Sequence, residues 1–294
     1  NKCFGRQNVV VESAMAATPF TLLVNSSDSP EFYHLIATLQ KATIIALDAE
    51  WKSSSLLKNS EAESQLSSLC MESDAESKSS SFPYVTLLQL ACQIGLHPSS
   101  DTVVFLLDLI SVQLHSIWGL LKDTFASSAV LKLGFGFKQD LIYLSHTFSS
   151  NGCHLGFETV EPYIDIRSLS HFLVTHQNVK ESKSLAAICK EVLKITLSKD
   201  LQRSDWSCRP LTKKQINYAA MDAYCLLQIF HVFQAKHALE GSPSLLYAFK
   251  SSTLDSEYLF STLKRRLVDK NVPNANDTIT TTMFLSHYFR KFII

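Results

Sequence analysis

Apolar residues along this chain fall into short runs divided by polar turns, and the runs alternate between strand and helix periodicity. Thr43-Ile44-Ile45-Ala46-Leu47 is β-branched or apolar throughout, without Gly or Pro, the pattern of a strand buried on both faces. Residues 85–94 and 103–109 read the same way, and the turn composition of 97–101 between them predicts an antiparallel hairpin. A fourth strand is expected over 130–135, stopped by Gly136, and a short fifth over 163–166, while Thr21–Val24 is a further short candidate. Helical spacing opens at Ser29-Pro30, with Ser29 as cap and Pro30 at the first helical position; Phe32, Leu35, Ile36 and Leu39 form its inner face. Further helices are expected near 112–124, 137–148, 167–176, 184–195 and 212–236. Early hairpins followed by strand–helix units predict an α/β fold, a mixed five-stranded sheet with helices on both faces.

Composition changes this picture in two places. Between Ser53 and Ser81, 12 of 29 residues are Ser, with five acidic and two basic residues among the rest. Such a stretch buries too little apolar area to offset its ordering entropy, so a disordered insertion is expected there. After Gly241-Ser242-Pro243, two more helical segments near 244–250 and 254–268 lead into a polar tail and a final apolar run. The chain therefore divides into an extension over 1–19, a principal domain over 20–240 carrying the insertion, and a helical extension and tail over 241–294. The first residue is Asn rather than Met, which reads as an incomplete or processed terminus.

No apolar run approaches the ~20 residues a bilayer span needs, so no membrane partner is expected. Seven cysteines without a C-x-x-C pair suggest reduced thiols and an intracellular protein of nucleus or cytoplasm. A formal net charge of zero excludes a uniformly basic nucleic-acid binder but leaves room for local patches.

Candidate chemistry begins where the first strand ends, at Asp48-Ala49-Glu50. Side chains alternate along a strand, so these two carboxylates share a side. They read either as solvated acids at a strand end or as a pair that needs a metal or hydrogen-bond partner. Asp140 opens a helix just after the 130–135 strand, where an acid can serve the helix dipole or a site. Tyr218 and Asp222, at i and i+4, share one face of a helix that is otherwise apolar at Cys225, Leu226, Ile229 and Phe230. Between Lys180 and Lys214 nine Lys/Arg face four Asp/Glu, a local charge of +5. Arg203, Arg209, Lys213 and Lys214 within it lie just ahead of Tyr218, where a phosphate backbone would pass, or form a solvated face. Trp206 reads as a base-stacking platform or as a core anchor for this loop.

With these residues in view, the chain resembles the DEDD superfamily of 3′–5′ exonucleases, in its tyrosine-bearing branch. Asp48-Ala49-Glu50, Asp140 and the Tyr218-x-x-x-Asp222 helix match its three motifs in order. Lys199–Trp206 followed by Arg209-Pro210-Leu211 resembles the approach to the third motif in RNase D-like and Werner-type enzymes. The resemblance covers about 20–236, and the Ser-rich insertion is longer than the family usually shows.

That resemblance implies an RNase H-like fold and stepwise release of nucleoside monophosphates from a single-stranded or 3′ end of RNA or DNA. It implies two divalent cations, Mg²⁺ or Mn²⁺, held by Asp48, Glu50, Asp140 and Asp222, with Tyr218 orienting the attacking water. Four carboxylates brought together repel by about 4 kcal/mol per pair at 4 Å with an effective dielectric of 20. Cations among them remove that cost, and oxygen donors suit hard ions. The alternative from another class is a catalytically silent nucleic-acid-binding or scaffold protein on the same fold, whose usual sign, a lost carboxylate, is missing here.

Overall fold

Six strands form one mixed sheet in the computed structural model, which describes residues 18–52, 83–95, 97, 100–153, 157, 159–173, 184–240 and 254–255. In chain order they are β1 (Thr21–Val24), β2 (Ile44–Trp51), β3 (Val85–Gln93), β4 (Thr102–Asp108), β5 (Leu131–Gly134) and β7 (Tyr163–Asp165). Across the sheet they run β1-β4-β3-β2-β5-β7. The expected hairpin forms, with β3 antiparallel to both β2 and β4. β1–β4, β2–β5 and β5–β7 pair in parallel. The sixth member is β1. Its pairing with the edge of β4 is a tertiary event that four residues of local pattern do not announce.

Two helical layers cover the sheet. α1 (Pro30–Leu39), α2 (Leu114–Ala126) and α3 (Lys138–Ser150) pack on one face around Ile45, Leu47, Leu88, Leu90, Phe105 and Leu107. Ser29 caps α1 as expected, its Oγ accepting from Phe32 N at 3.1 Å. The other face, built on Ile44, Ala46, Leu87, Ala91, Val104 and Leu106, is covered by α4 (Ile166–Leu173), α5 (Leu185–Ile188) and α6 (Lys213–Glu240). α5 does not run on to 195. It passes into a π-helical turn over Cys189–Leu193, closed by Lys194 with φ +61°.

Leu254–Asp255 (β8), placed by periodicity at the start of a helix, instead pair antiparallel with β6 (Thr159–Val160). The Ser-rich insertion and the remaining extension helices lie outside the described residues.

Candidate active site

Strand parity aims the first two acids. Ile45, Leu47 and Ala49 enter the core under α1–α3, whereas Ile44 and Ala46 enter the one under α6. Asp48 and Glu50 continue the second series, so β2 presents them to the α6 side at its carboxyl end. β5 runs parallel to β2, and the turn from its carboxyl end, Phe135–Phe137, leads directly into α3. Asp140 therefore sits in the first helical turn beside the same sheet edge, 8% exposed. That turn is tight. A Cβ on Gly134 would stand 2.7 Å from Tyr163 Oη, and Gly136 adopts φ +64° with Arg167 Nη2 2.8 Å from its would-be Cβ. α6 lies across β2 and β3 and supplies the last members, Tyr218 and Asp222, the latter 8% exposed. Tyr218 lies one helical turn before Asp222 on α6, and the two side chains interact, the phenol lowering the carboxyl and the carboxylate raising the phenol.

The structure thus brings Asp48, Glu50, Asp140, Tyr218 and Asp222 into one electrostatic unit. Burial, eased by the Ala49 backbone, holds the Asp48 carboxyl up at about 6. Burial, then the charges of Asp48, Asp222 and Asp140, pushes Glu50 to about 10. Burial and Asp48 raise Asp140 to about 8 and Asp222 well above the usual carboxylate range. Burial, followed by Asp222 and Glu50, also raises the Tyr218 phenol. The charges that raise Glu50, Asp140 and Asp222 are those of the other carboxylates in the group. A desolvated set of four carboxylates with no cation between them favours either protons or a multivalent cation. Among the described residues, no three His, Cys, Asp or Glu groups are drawn together tightly enough to enclose an ion in this arrangement. The fit to a hard divalent cation rests instead on donor chemistry, since the pocket offers carboxylate oxygens and a strongly negative field.

The basic residues divide. Arg203, Lys213 and Lys214 are exposed along the loop and first turn that lead to Tyr218. Arg209 is a correction to the sequence reading, and of the two readings of Trp206 the core anchor holds. The Arg209 guanidinium is held by Asp108 (Nε–Oδ2 2.6 Å, Nη2–Oδ1 2.7 Å) and donates to the carbonyls of Thr86, Trp206 and Cys208 at 2.9–3.0 Å. A guanidinium so fully engaged has no fork left for a phosphate. Trp206 is 1% exposed and its ring lies 5.9 Å from that of Tyr218, so it is a packing support for the tyrosine and offers no face to a base.

The partner of Arg209 was the residue that sequence reading missed. Asp108 ends the apolar run of β4 as Asp48 interrupts that of β2, and the same signal, an acid closing a buried strand, marks both.

Comparisons with known proteins bear on the fold and the family. The chain is 27% identical over 221 residues to an exonuclease mut-7 homolog of Aedes aegypti, a match covering 72% of this chain and 26% of that protein. Over 65 residues it is 43% identical to ribonuclease D of Pseudomonas paraeruginosa, covering 22% of this chain and 17% of the relative. The chain thus spans about a quarter or less of these curated relatives. Among solved structures, the Nibbler EXO domain of Aedes aegypti superposes with a TM-score of 0.55 at 24% identity, covering 83% of this chain and 94% of that one. Escherichia coli RNase D superposes with 0.51 at 22% identity, covering 84% and 50%. At these identities the superpositions establish a shared fold. A sequence model described as 3′–5′ exonuclease matches residues 60–238, a stretch that begins after Asp48 and Glu50 and includes Asp140, Tyr218 and Asp222. Matched over more than half of its length, and folded as these enzymes are, the chain belongs to the 3′–5′ exonuclease family.

Proposed function

We propose that this chain is a metal-dependent 3′–5′ exonuclease that removes nucleoside monophosphates from a single-stranded 3′ end. One observation carries the reading: four carboxylates from β2, α3 and α6, two of them buried and two partly so, act on one another beside Tyr218. The relatives include RNase D enzymes, one solved with RNA U12, which favours RNA as the substrate to test first.

In this mechanism Asp48, Glu50, Asp140 and Asp222 would hold the divalent cations. Bound there, the cations supply charge neutralisation for the phosphodiester and a nucleophile at neutral pH. The chain does the rest. Tyr218, packed against Trp206 and beside Asp222, orients the attacking water with a hydroxyl that can both donate and accept. Arg203, Lys213 and Lys214 attract the backbone ahead of the scissile bond. The test is hydrolysis of 3′- and 5′-labelled RNA and DNA oligonucleotides with Mg²⁺, Mn²⁺ or EDTA. Metal-dependent shortening from the 3′ end supports the reading, and metal-independent or internal cleavage overturns it.

Tyr218→Phe should lower kcat by ~10²–10⁴, the usual contribution of a positioned proton-handling group. Single-turnover rates at saturating metal measure it; an unchanged rate makes the tyrosine a packing residue.

The raised carboxyl values give a pH prediction for the metal-free protein. An acid whose folded pKa lies above its unfolded value binds its proton more tightly when folded, so stability falls as pH rises between the two. For Asp140 that window runs from 3.8 to about 8. In EDTA, Asp140→Asn should therefore gain on wild type as pH rises through this window, while responding less to Mg²⁺ or Mn²⁺. Thermal melts of both proteins from pH 5 to 8 measure this. A constant difference between them would mean that Asp140 is not strained by its neighbours.

A further inference from the structure

Gln89 is the unsatisfied polar side chain of the α6 face that stands opposite a candidate site residue. It lies mid-strand in β3, is 0% exposed, and neither its amide nitrogen nor its carbonyl oxygen has a hydrogen-bond partner. A buried amide left unsatisfied costs about 1–3 kcal/mol, so a group in that state calls for an explanation.

Its place supplies one. Gln89 stands directly across from Asp48 in the antiparallel β2–β3 register. Directly opposed residues project from the same face with Cβ atoms about 5 Å apart. Leu87 and Ala91, two residues to either side, pack into the core under α6, so the Gln89 side chain points there as well.

A second measure agrees along the strand. Four residues further on, Gln93 Oε1 accepts from His231 Nε2 of α6 at 2.6 Å. A helix rises about 1.5 Å per residue and an antiparallel strand about 3.4 Å, so stepping from His231 back to Asp222, or from Gln93 back to Gln89, covers about 14 Å either way. Gln89 thus reaches the level of Asp222 as well as that of Asp48. It is a neutral side chain with two donors and an acceptor set among carboxylates that can only accept when ionised.

We propose that Gln89 is a positioning residue of the carboxylate centre, its amide N–H donating to the Asp48 carboxylate and fixing which Asp48 oxygen faces the bound cation. This rests on the metal-dependent reading above. In the metal-free arrangement Asp48 and Gln89 are neighbours without a bond. With the carboxylate ionised and turned toward a cation, its outer oxygen is the acceptor the amide lacks. Partners of this kind around a metal centre are typically worth about 10–100-fold in metal affinity or activity.

Gln89→Met tests it, since methionine keeps the volume and shape and removes the polar atoms. In EDTA the variant should melt at or above wild type, because an unsatisfied buried amide has gone. Its Mg²⁺ or Mn²⁺ titration, followed by the rise in Tm, should show about 10–100-fold weaker binding. On a labelled single-stranded RNA oligonucleotide kcat should fall by a similar factor, with KM within about twofold.

A variant that melts well below wild type in EDTA overturns the proposal, because Gln89 would then be serving the core. Unchanged metal affinity overturns it too, and if wild type degrades RNA while Gln89→Met does so equally well, this proposal alone fails. If wild type gains stability from metal, the variant gains less, and neither shortens RNA, Gln89 is confirmed as a positioning residue and the exonuclease reading fails. Wild type without any metal response overturns both.

Discussion

Asp48→Ala and Asp222→Ala should each remove detectable exonuclease activity while leaving binding of a single-stranded oligonucleotide nearly intact. Asp48 is the charge that recurs in the surroundings of every other carboxyl in the pocket, raising Glu50, Asp140 and Asp222 alike. It sits at the centre of the group, between the β3 side and the α3 side. Asp222 interacts with the Tyr218 hydroxyl, so its loss takes both a carboxylate and a neighbour of the tyrosine. Backbone contacts rest on a different set, the exposed Arg203, Lys213 and Lys214, and do not pass through these acids. Catalytic groups acting as a unit fail together, so the double variant should be no worse than either single one. Active-site titration on folded, metal-saturated protein, with filter binding in EDTA beside it, reads the two effects separately. Activity above a few per cent in either variant would sink the carboxylate assignment. Loss of binding equal to loss of turnover would mean that the acids shape the substrate groove.

Arg209→Ala should be the most destabilising single change outside the hydrophobic core. Asp108 is 1% exposed, and burial alone would drive its carboxyl upward. The two bonds from Arg209, with help from Ser111 Oγ at 2.8 Å and Ile110 N at 3.1 Å, reverse that and hold it below the ordinary value. Removing one partner of a buried pair leaves an uncompensated charge, at about 3–5 kcal/mol. Ser111 and Ile110 place the expected loss near the lower end. The carbonyls of Trp206 and Cys208 lose this donor as well, and that of Thr86 keeps only Leu109 N at 3.1 Å.

The pH dependence has a definite sign. A carboxyl with a depressed folded pKa contributes stability above its unfolded value of 3.8, and that contribution is lost as pH falls. The deficit of Arg209→Ala should therefore be large at pH 7 and shrink as pH falls below 3.8, closing only once the paired Asp108 also takes up its proton. Replacing both partners with apolar side chains, as in Asp108→Leu with Arg209→Met, should cost less than the single change. Urea midpoints at several pH values settle it. A loss under 1 kcal/mol at pH 7 would show that this pair is as weak as an exposed one.

Much of this architecture was legible in the chain because the signals are local. β2, β3 and β4 are continuous apolar runs with turn residues between them. Ser29-Pro30 opens α1, and the placing of Asp48 and Glu50 two apart and of Tyr218 and Asp222 four apart aims each pair along one face. The alternation of a strand and the turn of a helix are properties of the backbone, and no distant contact is needed to read them.

What only the tertiary structure decided is which of those faces another element covers. Arg209 and Lys213 look alike in sequence. One is locked to Asp108, 101 residues earlier in the chain, and the other is exposed. Trp206 could be a platform or an anchor until Tyr218 was packed against it and its exposure fell to 1%. Lys132 and Gln89 sit in apolar strands where periodicity has nothing to say about polar groups. Lys132 reaches the carbonyls of Ser127 and Glu161, whereas Gln89 reaches none and stands across from Asp48. The sequence by itself determined direction, since side-chain aim follows from backbone geometry over a few residues. Burial and partnership depend on chain segments a hundred residues apart meeting, and only the packed sheet and its two helical layers set those.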